Sequence, residues 1–246
     1  MSQIFTLKSH TSTLSIDFVN PIRLEDGSDY GLSLLSFYSY NSVPNIDEGH
    51  NKFYYYENNN KNREKNIVIP TGAYEIEDIE SYIKKHIVDG GGGGGEGGDR
   101  VKDVFSLKPN LNTLKCELYS SVHGINFQPK DSIAYVLGYS PSRVLEPRIY
   151  HQSDLPVNIV KVRTIHIDSN ITVGAFYNDR PSHTIYEFSI TDEAGCAINE
   201  SPKNLIYLPV NQREINNITL MVLDQNFELV HFRGEEIIIR LELKKL

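Results

Sequence analysis

The residues with the clearest potential for chemistry are His166, Asp168 and His231. His166 and Asp168 are separated by one residue, so in a strand both would project from one face, with the neighbouring isoleucines on the other. A His-x-Asp pair with a distant His is the ligand set of Fe(II)-dependent oxygenases. Arg240, which follows His231, could hold a cosubstrate carboxylate with its planar guanidinium group. These residues define one alternative function, a jelly-roll oxygenase.

The frequency of such pairs weakens that alternative. With 8 His and 32 acidic residues in 246 positions, about one His is expected to have an acid two residues later, and one does. The competing interpretation is a half-buried strand in which Thr164, His166 and Asp168 face water and the intervening isoleucines face a core. We favour this structural interpretation, which needs no metal.

Other catalytic motifs are absent from the sequence. It contains no Gly-x-Ser-x-Gly, no His-Glu-x-x-His and no Cys-x-x-Cys. Cys116 and Cys196 lack metal-type spacing and are expected to be small apolar residues of a reducing compartment. The acids between Glu75 and Glu80 lie at the start of a predicted helix, where they stabilise its positive end. We therefore predict no catalytic, cofactor-binding or metal-ligating residue, and no enzymatic activity.

Charge and composition exclude further classes. The formal net charge is −8, which disfavours a nucleic-acid surface because neutralising phosphates needs clustered Lys and Arg. The N-terminus lacks the pattern of a signal peptide, and no stretch has the length of a membrane span. We therefore expect a protein made and used in solution inside a cell. A ligand- or receptor-binding jelly-roll module, the second alternative, would normally carry a signal peptide or disulfides.

Alternation of apolar and polar residues over short runs is the main structural signal. Such alternation is typical of strands with one face in a core and the other in water. The predicted strands are Thr13–Phe18, Leu32–Tyr40, Lys52–Tyr56, Val157–Ser169, His183–Ile190, Leu205–Val210, Ile218–Asp224 and Ile237–Leu243. About eight such runs indicate a mainly β fold, a single antiparallel jelly-roll sandwich.

A second pattern interrupts the strands. Apolar residues recur at three- and four-residue steps over Glu75–Val88, which predicts a helix, and Asp131–Tyr139 predicts a brief one with Asp131 or Ser132 as N-cap and Gly138 near its end. We therefore expect a small α/β module at 71–141 inserted into a jelly roll formed by 1–70 and 142–246. The glycine-rich run at 89–99 is expected to be a flexible loop, since it has almost no side chains to bury.

Several segments carry a resemblance to a known family. They are Pro70–Glu80 (PTGAYEIEDIE), Asn112–Lys115 (NTLK), His151–Val157 (HQSDLPV), His183–Phe188 (HTIYEF), Ile206–Asn211 (IYLPVN), Leu223–Gln225 (LDQ) and Val230–Glu235 (VHFRGE). From about residue 67 to the C-terminus the chain thereby resembles the penton-type minor capsid proteins of Polinton/Maverick elements and adintoviruses. His231 lies within one of these segments, which weakens the oxygenase alternative further.

The resemblance implies a structural role. Proteins of this family are single jelly rolls that assemble as homopentamers at the fivefold vertices of an icosahedral shell, beside a double-jelly-roll major capsid protein. The virion would then be the location of this chain after synthesis in a host cell. No subunit-interface residue is predicted. The first residues, up to about Thr11, are mostly polar and are expected to form an arm that reaches toward the major capsid protein. The run Phe53–Tyr56 suits either a recognition surface or a sandwich strand.

Overall fold

The computed structural model describes residues 2–89 and 105–246. The strands of this part of the chain are β1 Ser2–Ser9, β2 Thr13–Arg23, β3 Tyr30–Tyr40, β4 Lys52–Tyr56, β5 Glu64–Val68, β6 Ser106–Asn110, β7 Lys115–Tyr119, β8 Gly124–Asn126, β9 Val144–Leu145, β10 His151–Pro156, β11 Thr164–Ser169, β12 Ala175–Tyr177, β13 Arg180–Ser182, β14 Thr184–Ser189, β15 Ala197–Glu200, β16 Leu208–Pro209, β17 Glu214–Leu223 and β18 Ile237–Lys245. The helices are α1 Ile76–Asp89 and α2 Ala134–Leu137, with a short 3-10 turn at Glu57–Asn59. The chain is therefore mainly β, as the alternating pattern predicts.

Two compact units divide the chain. The first combines Met1–Val43 with Val162–Leu246, and the second is Pro44–Lys161. The second unit is larger than the predicted insertion at 71–141, because β4 pairs with β5 and β8, and β9 and β10 pair with β8 and β7. The strand Lys52–Tyr56, predicted as part of the jelly roll, thus belongs to the second unit.

The first unit has the strand order of a jelly roll. One sheet, sheet I, has the order β1-β18-β3-β15, with β16 also paired to β3, and the other, sheet II, has the order β14-β11-β17-β2. If these eight main strands are numbered along the chain, the sheets run 1-8-3-6 and 5-4-7-2, with all pairs antiparallel. All but one of the connections cross from one sheet to the other, which is the double Greek key of a jelly roll. The second unit is inserted between the third and fourth of these strands.

Alternating residues build the core of the first unit. In β18, Ile237, Ile239 and Leu241 are fully buried, and in β17 Ile218 and Leu220 are fully buried, whereas the residues between them are more exposed. The two inner faces contribute to a single apolar cluster. Removing this surface from water is the main source of the unit's stability.

The predicted N-terminal arm is wrong, because residues 2–9 form strand β1. This strand pairs with β18 in continuous antiparallel register from Ser2 to Ser9. Leu7 is 3% exposed in the core, and the ring of Phe5 packs edge-on against Phe18 at 5.7 Å. The segment is therefore part of sheet I.

The second unit has its own core. The sheets β10-β7-β6 and β5-β4-β8-β9 enclose an apolar cluster to which α1 contributes Ile76, Ile79, Ile83 and Ile87. Helix α1 agrees closely with the predicted Glu75–Val88. Helix α2 is shorter than predicted and has Ile133 rather than Asp131 or Ser132 as N-cap, although the Ser132 hydroxyl accepts the Ala134 N–H at 3.1 Å.

Gly138 ends α2 in the left-handed conformation, with φ 76°, as predicted. Two predicted strands are shorter than expected: Val157–Ser169 contains only β11, and Leu205–Val210 contains only β16. In the glycine-rich run predicted at 89–99, residue 89 ends α1, and 90–99 lies outside the described residues.

Candidate interaction surface on sheet II

His166 and Asp168 both lie on the outer face of β11, and each is paired with a residue of β17. His166 lies opposite Leu223 and Asp168 lies opposite Met221. Ile165 and Ile167 are fully buried on the inner face. The prediction that His166 and Asp168 share a face is therefore confirmed.

This polar face is covered rather than wet, unlike the predicted strand with one face in water. His166 is 4% exposed and Asp168 is 9% exposed. The ring of Phe227 stacks on the His166 imidazole with centroids 4.9 Å apart, and Tyr177 packs edge-on against Phe227 at 4.8 Å. Because Tyr177 comes from the end of a separate hairpin strand and Phe227 from a turn, their covering position could not be read from the periodicity of β11.

Each covering turn has an identifiable local cause. Tyr177 ends β12, which is joined to β13 by the two-residue turn Asn178-Asp179, with φ of 46° and 62°. Positive φ at both central residues defines the tight hairpin turn that matches strand twist, and Asn and Asp tolerate this conformation well.

Phe227 lies in the turn that follows β17. Oδ1 of Asp224 accepts the N–H groups of Asn226 and Glu228 at 2.8 and 2.9 Å, and the Phe227 N–H donates to the Asp224 carbonyl at 2.9 Å. Phe227 has φ 62°, a conformation that costs a bulky residue about 1–2 kcal/mol. Its stacking on His166 offsets this cost, so the turn presents an aromatic ring where glycine would be the ordinary choice.

The polar atoms of His166 and Asp168, which lie beneath the rings of Phe227 and Tyr177, have polar partners. The Thr184 hydroxyl donates to Oδ1 of Asp168 at 2.6 Å. Nδ1 of His166 lies 3.4 Å from Oε2 of Glu187, whose side chain is 65% exposed. These contacts satisfy His166 and Asp168 within sheet II, so a metal ion is not needed to explain their burial.

The metal site required by the oxygenase alternative does not form. His231 is exposed on the segment after β17, and Arg240 lies in β18 of sheet I, away from β11. Within residues 2–89 and 105–246, no group of three His, Cys, Asp or Glu side chains could hold a metal ion. His166, Asp168 and His231 therefore do not form the metal-binding group on which the oxygenase alternative depends.

Two open depressions flank Tyr177. One, of about 420 Å³, is lined by His166, Phe176, Tyr186, Ile206 and others, and the second, of about 530 Å³, is lined by Asp168, Arg180, Phe227 and others. Phe176 is 72% exposed and Ile206 is 65% exposed. Exposed aromatic side chains and arginine, both present around these depressions, are enriched at protein interfaces.

The tyrosine run of β4 is not part of a recognition surface. Phe53, Tyr55 and Tyr56 are buried in the second unit, and the Tyr54 hydroxyl donates to Asp131 at 2.9 Å. Of the two hypotheses for this run, the structural one is therefore correct.

The two cysteines differ from each other. Cys116 is buried in the second unit, and burial raises the pKa of its thiol to about 12. Cys196 is exposed, so only Cys116 is packed as a small apolar residue. In the part of the chain that the structure describes, no helix could span a membrane.

Comparisons with known proteins bear on the fold of this chain. No family model and no curated protein matches the sequence. Among solved structures, the chain is similar to the crystal structure of the mavirus penton protein, with 15% sequence identity and a TM-score of 0.51. The match covers 100% of this chain and 99% of the penton chain. The chain therefore has a penton-like jelly-roll fold, which agrees with the strand order of the first unit.

Proposed function

We propose that this chain is a capsid protein that forms the pentameric vertex of an icosahedral virus-like shell. The observation that carries the proposal is the full-length correspondence of both units with the mavirus penton protein. A correspondence limited to the jelly roll would fit many binding modules and enzymes, because this fold has many functions. Agreement over the inserted unit as well is more specific.

The chain's membership of the Polinton/Maverick and adintovirus penton group is part of the proposal. It rests on the segments from Pro70–Glu80 to Val230–Glu235 that resemble this group. Its expected partners are four further copies of itself and a double-jelly-roll major capsid protein. The expected location is the virion, after synthesis in the host cell.

The chemistry of sheet II is compatible with a non-enzymatic role. The buried polar residues His166 and Asp168 are engaged by Phe227, Glu187 and Thr184. What the outer surface offers is exposed side chains for contact with another protein. A pentamer needs such contacts, because each subunit must bind its neighbour through two different patches.

Co-expression with a double-jelly-roll major capsid protein tests the proposal. We expect this chain to co-sediment with assembled shells. It should be absent from the sedimentation fractions that contain unassembled major capsid protein. The free chain should be either a 28.0 kDa monomer or a five-copy ring of about 140 kDa, since association can depend on the shell.

A control with an unrelated jelly-roll protein of similar mass measures nonspecific trapping in the shells. A chain that is excluded from the shells, or that forms a stable dimer by light scattering, would contradict the proposed role.

A further inference from the structure

The outer face of sheet I carries an open patch that differs in chemistry from sheet II. Lys8, Ile238, Tyr38 and Asn199 lie side by side in one row across the four strands. Arg240 lies two residues along β18 from Ile238 and therefore on the same face. We call the patch formed by Tyr38, Tyr40, Ile238, Arg240 and Lys8 the tyrosine face.

The tyrosine face is partly apolar and carries a cation without an acidic partner. Tyr40 is 43% exposed, and its ring packs edge-on against Tyr38 at 5.8 Å. Lys8 lies 3.9 Å from Glu236, which partly offsets its charge. The side chain of Arg240 is exposed and forms no ion pair or hydrogen bond with any residue that the structure describes. Its guanidinium group is therefore available to an external carboxylate.

The far end of the same face is closed by the chain itself. The Glu242 carboxylate accepts hydrogen bonds from the hydroxyls of Ser2 and Tyr207, the latter at 2.6 Å, and these bonds lower the pKa of Glu242. Nζ of Lys244 lies 5.3 Å from the centroid of the Tyr207 ring. Tyr207 covers this end of sheet I, so the open part is the tyrosine face.

The outer surface of sheet II carries exposed carboxylates as well as the exposed Arg180. Asp17 is exposed on β2, and its carboxylate has no hydrogen-bond or ion-pair partner among the described residues. Glu187 on β14 is exposed beside His166. Met221 lies between these strands and is 42% exposed. We call the patch formed by Asp17, Met221 and Glu187, with the covering rings of Tyr177 and Phe227, the acidic face.

We propose that the tyrosine face of one copy of this chain binds the acidic face of the next copy, an inference that rests on the vertex role proposed above. The guanidinium group of Arg240 can pair with a carboxylate such as Glu187 through two parallel hydrogen bonds and can stack on an aromatic ring. Tyr38 and Tyr40 supply rigid contact area with a polar end, which suits the central part of an interface.

The positions of the two faces determine the kind of assembly. They lie on the two outer surfaces of one sandwich, so a contact between them is heterologous and leaves a free face at each end of a pair. Such a contact adds further copies, which form a ring when the rotation between copies closes and a filament when it does not, and it does not produce a closed dimer. The pattern therefore agrees with a vertex ring rather than a two-subunit assembly.

The area of the faces sets a limit on their contribution. A four-stranded sheet is about 19 Å wide, and a six-residue strand is about 20 Å long, which gives roughly 400 Å² in projection. Stable interfaces bury about 800 Å² on each partner. The two faces can thus supply a large share of a stable contact, with loops of the chain supplying the rest.

Charge reversal tests the pairing through sedimentation velocity of the purified chain over a wide concentration range at low salt. We expect the unaltered chain to self-associate. Arg240→Glu and Glu187→Arg should each lower the association constant about tenfold or more. The double variant restores opposite charges across the contact and should recover most of the affinity. Lys85→Glu, which reverses an exposed charge on α1, is the matched control and should associate like the unaltered chain.

The Arg240 side chain is exposed and has no ion-pair partner among the described residues, so Arg240→Glu should keep the melting temperature of the unaltered chain, which checks folding. Glu187→Arg loses the 3.4 Å contact with His166, so it should melt at a lower temperature but still in one cooperative transition, and its association is measured well below that transition. The inference is overturned if the unaltered chain stays monomeric at every concentration, if the single reversals associate normally, or if the double reversal recovers nothing. The vertex role fails separately, if copies associate through these faces but never enter shells. Shells that incorporate Arg240→Glu as well as the unaltered chain would instead contradict the pairing and leave the role intact.

Discussion

Replacing Phe227 should reveal the strain that its turn stores. Phe227 has φ 62°, and its ring stacks on His166 at 4.9 Å and meets Tyr177 edge-on at 4.8 Å. Phe227→Ala removes both ring contacts but keeps a Cβ atom in the left-handed conformation. Phe227→Gly removes the same contacts and also the steric cost of that conformation.

The two effects have separable magnitudes. Each aromatic pair contributes about 0.5–1.5 kcal/mol, so Phe227→Ala should lower the free energy of unfolding by about 2 kcal/mol. Relief of the left-handed strain is worth about 1 kcal/mol, so Phe227→Gly should be the more stable variant by that amount. This order is the reverse of the one expected at a strand or helix position, where alanine is more stable than glycine.

Urea denaturation of the two variants and of the unaltered chain, under the same conditions, measures the differences in the free energy of unfolding. Phe176→Ala is the matched control, because Phe176 comes from the adjacent hairpin and is 72% exposed. It should change the free energy of unfolding by less than about 0.5 kcal/mol. The account of this turn is refuted if Phe227→Ala equals or exceeds Phe227→Gly in stability, or if neither differs from the unaltered chain.

Further substitutions test the fold at other points. Leu7→Ala should destabilise the chain by about 2–5 kcal/mol, because Leu7 is 3% exposed, whereas Ile4→Ala on the opposite face of β1 should have a much smaller effect by thermal or urea unfolding. An N-terminal arm would make the two equal. Gly138→Ala should cost several kcal/mol, since its φ is +76° and a Cβ would lie 2.3 Å from the Leu155 carbonyl oxygen; Gly27→Ala, with φ +74° and open space around it, should cost only about 1 kcal/mol. Equal losses would refute the close approach. Hydrogen bonds from Lys52 and Tyr54 lower the pKa of Asp131. Asp131→Asn should therefore be less stable than the unaltered chain above about pH 4, and this difference in the free energy of unfolding should vanish as pH falls through the lowered pKa. A difference that persists at lower pH would contradict the ion pair.

Local patterns in the sequence predicted many of the elements correctly. The strand Lys52–Tyr56 and the helix near Glu75–Val88 agree closely with β4 and α1, because alternation and three- to four-residue periodicity are properties of short segments. Gly138 was placed correctly for the same reason, since a helix end favours a residue that accepts positive φ.

Long-range pairing explains what could not be predicted. Ser2–Ser9 is mostly polar, and its partner β18 lies at the other end of the chain, so the local sequence carries little signal for β1. The bounds of the inserted unit depend on which strand β4 pairs with, and alternation is the same for either choice.

For a similar reason, the sequence predicted only part of the candidate surface. The shared face of His166 and Asp168 follows from their spacing. The covering position of Phe227 depends on a left-handed turn conformation that the residue type does not favour.

The central claim is that this chain occupies the vertices of an icosahedral shell. Electron cryo-microscopy of shells assembled from the double-jelly-roll major capsid protein, with and without this chain, tests it most directly. The account predicts five copies of the two-unit chain at each fivefold vertex in the first sample and open vertices in the second. Vertices that are filled equally in both samples, or density for this chain elsewhere in the shell, would contradict it.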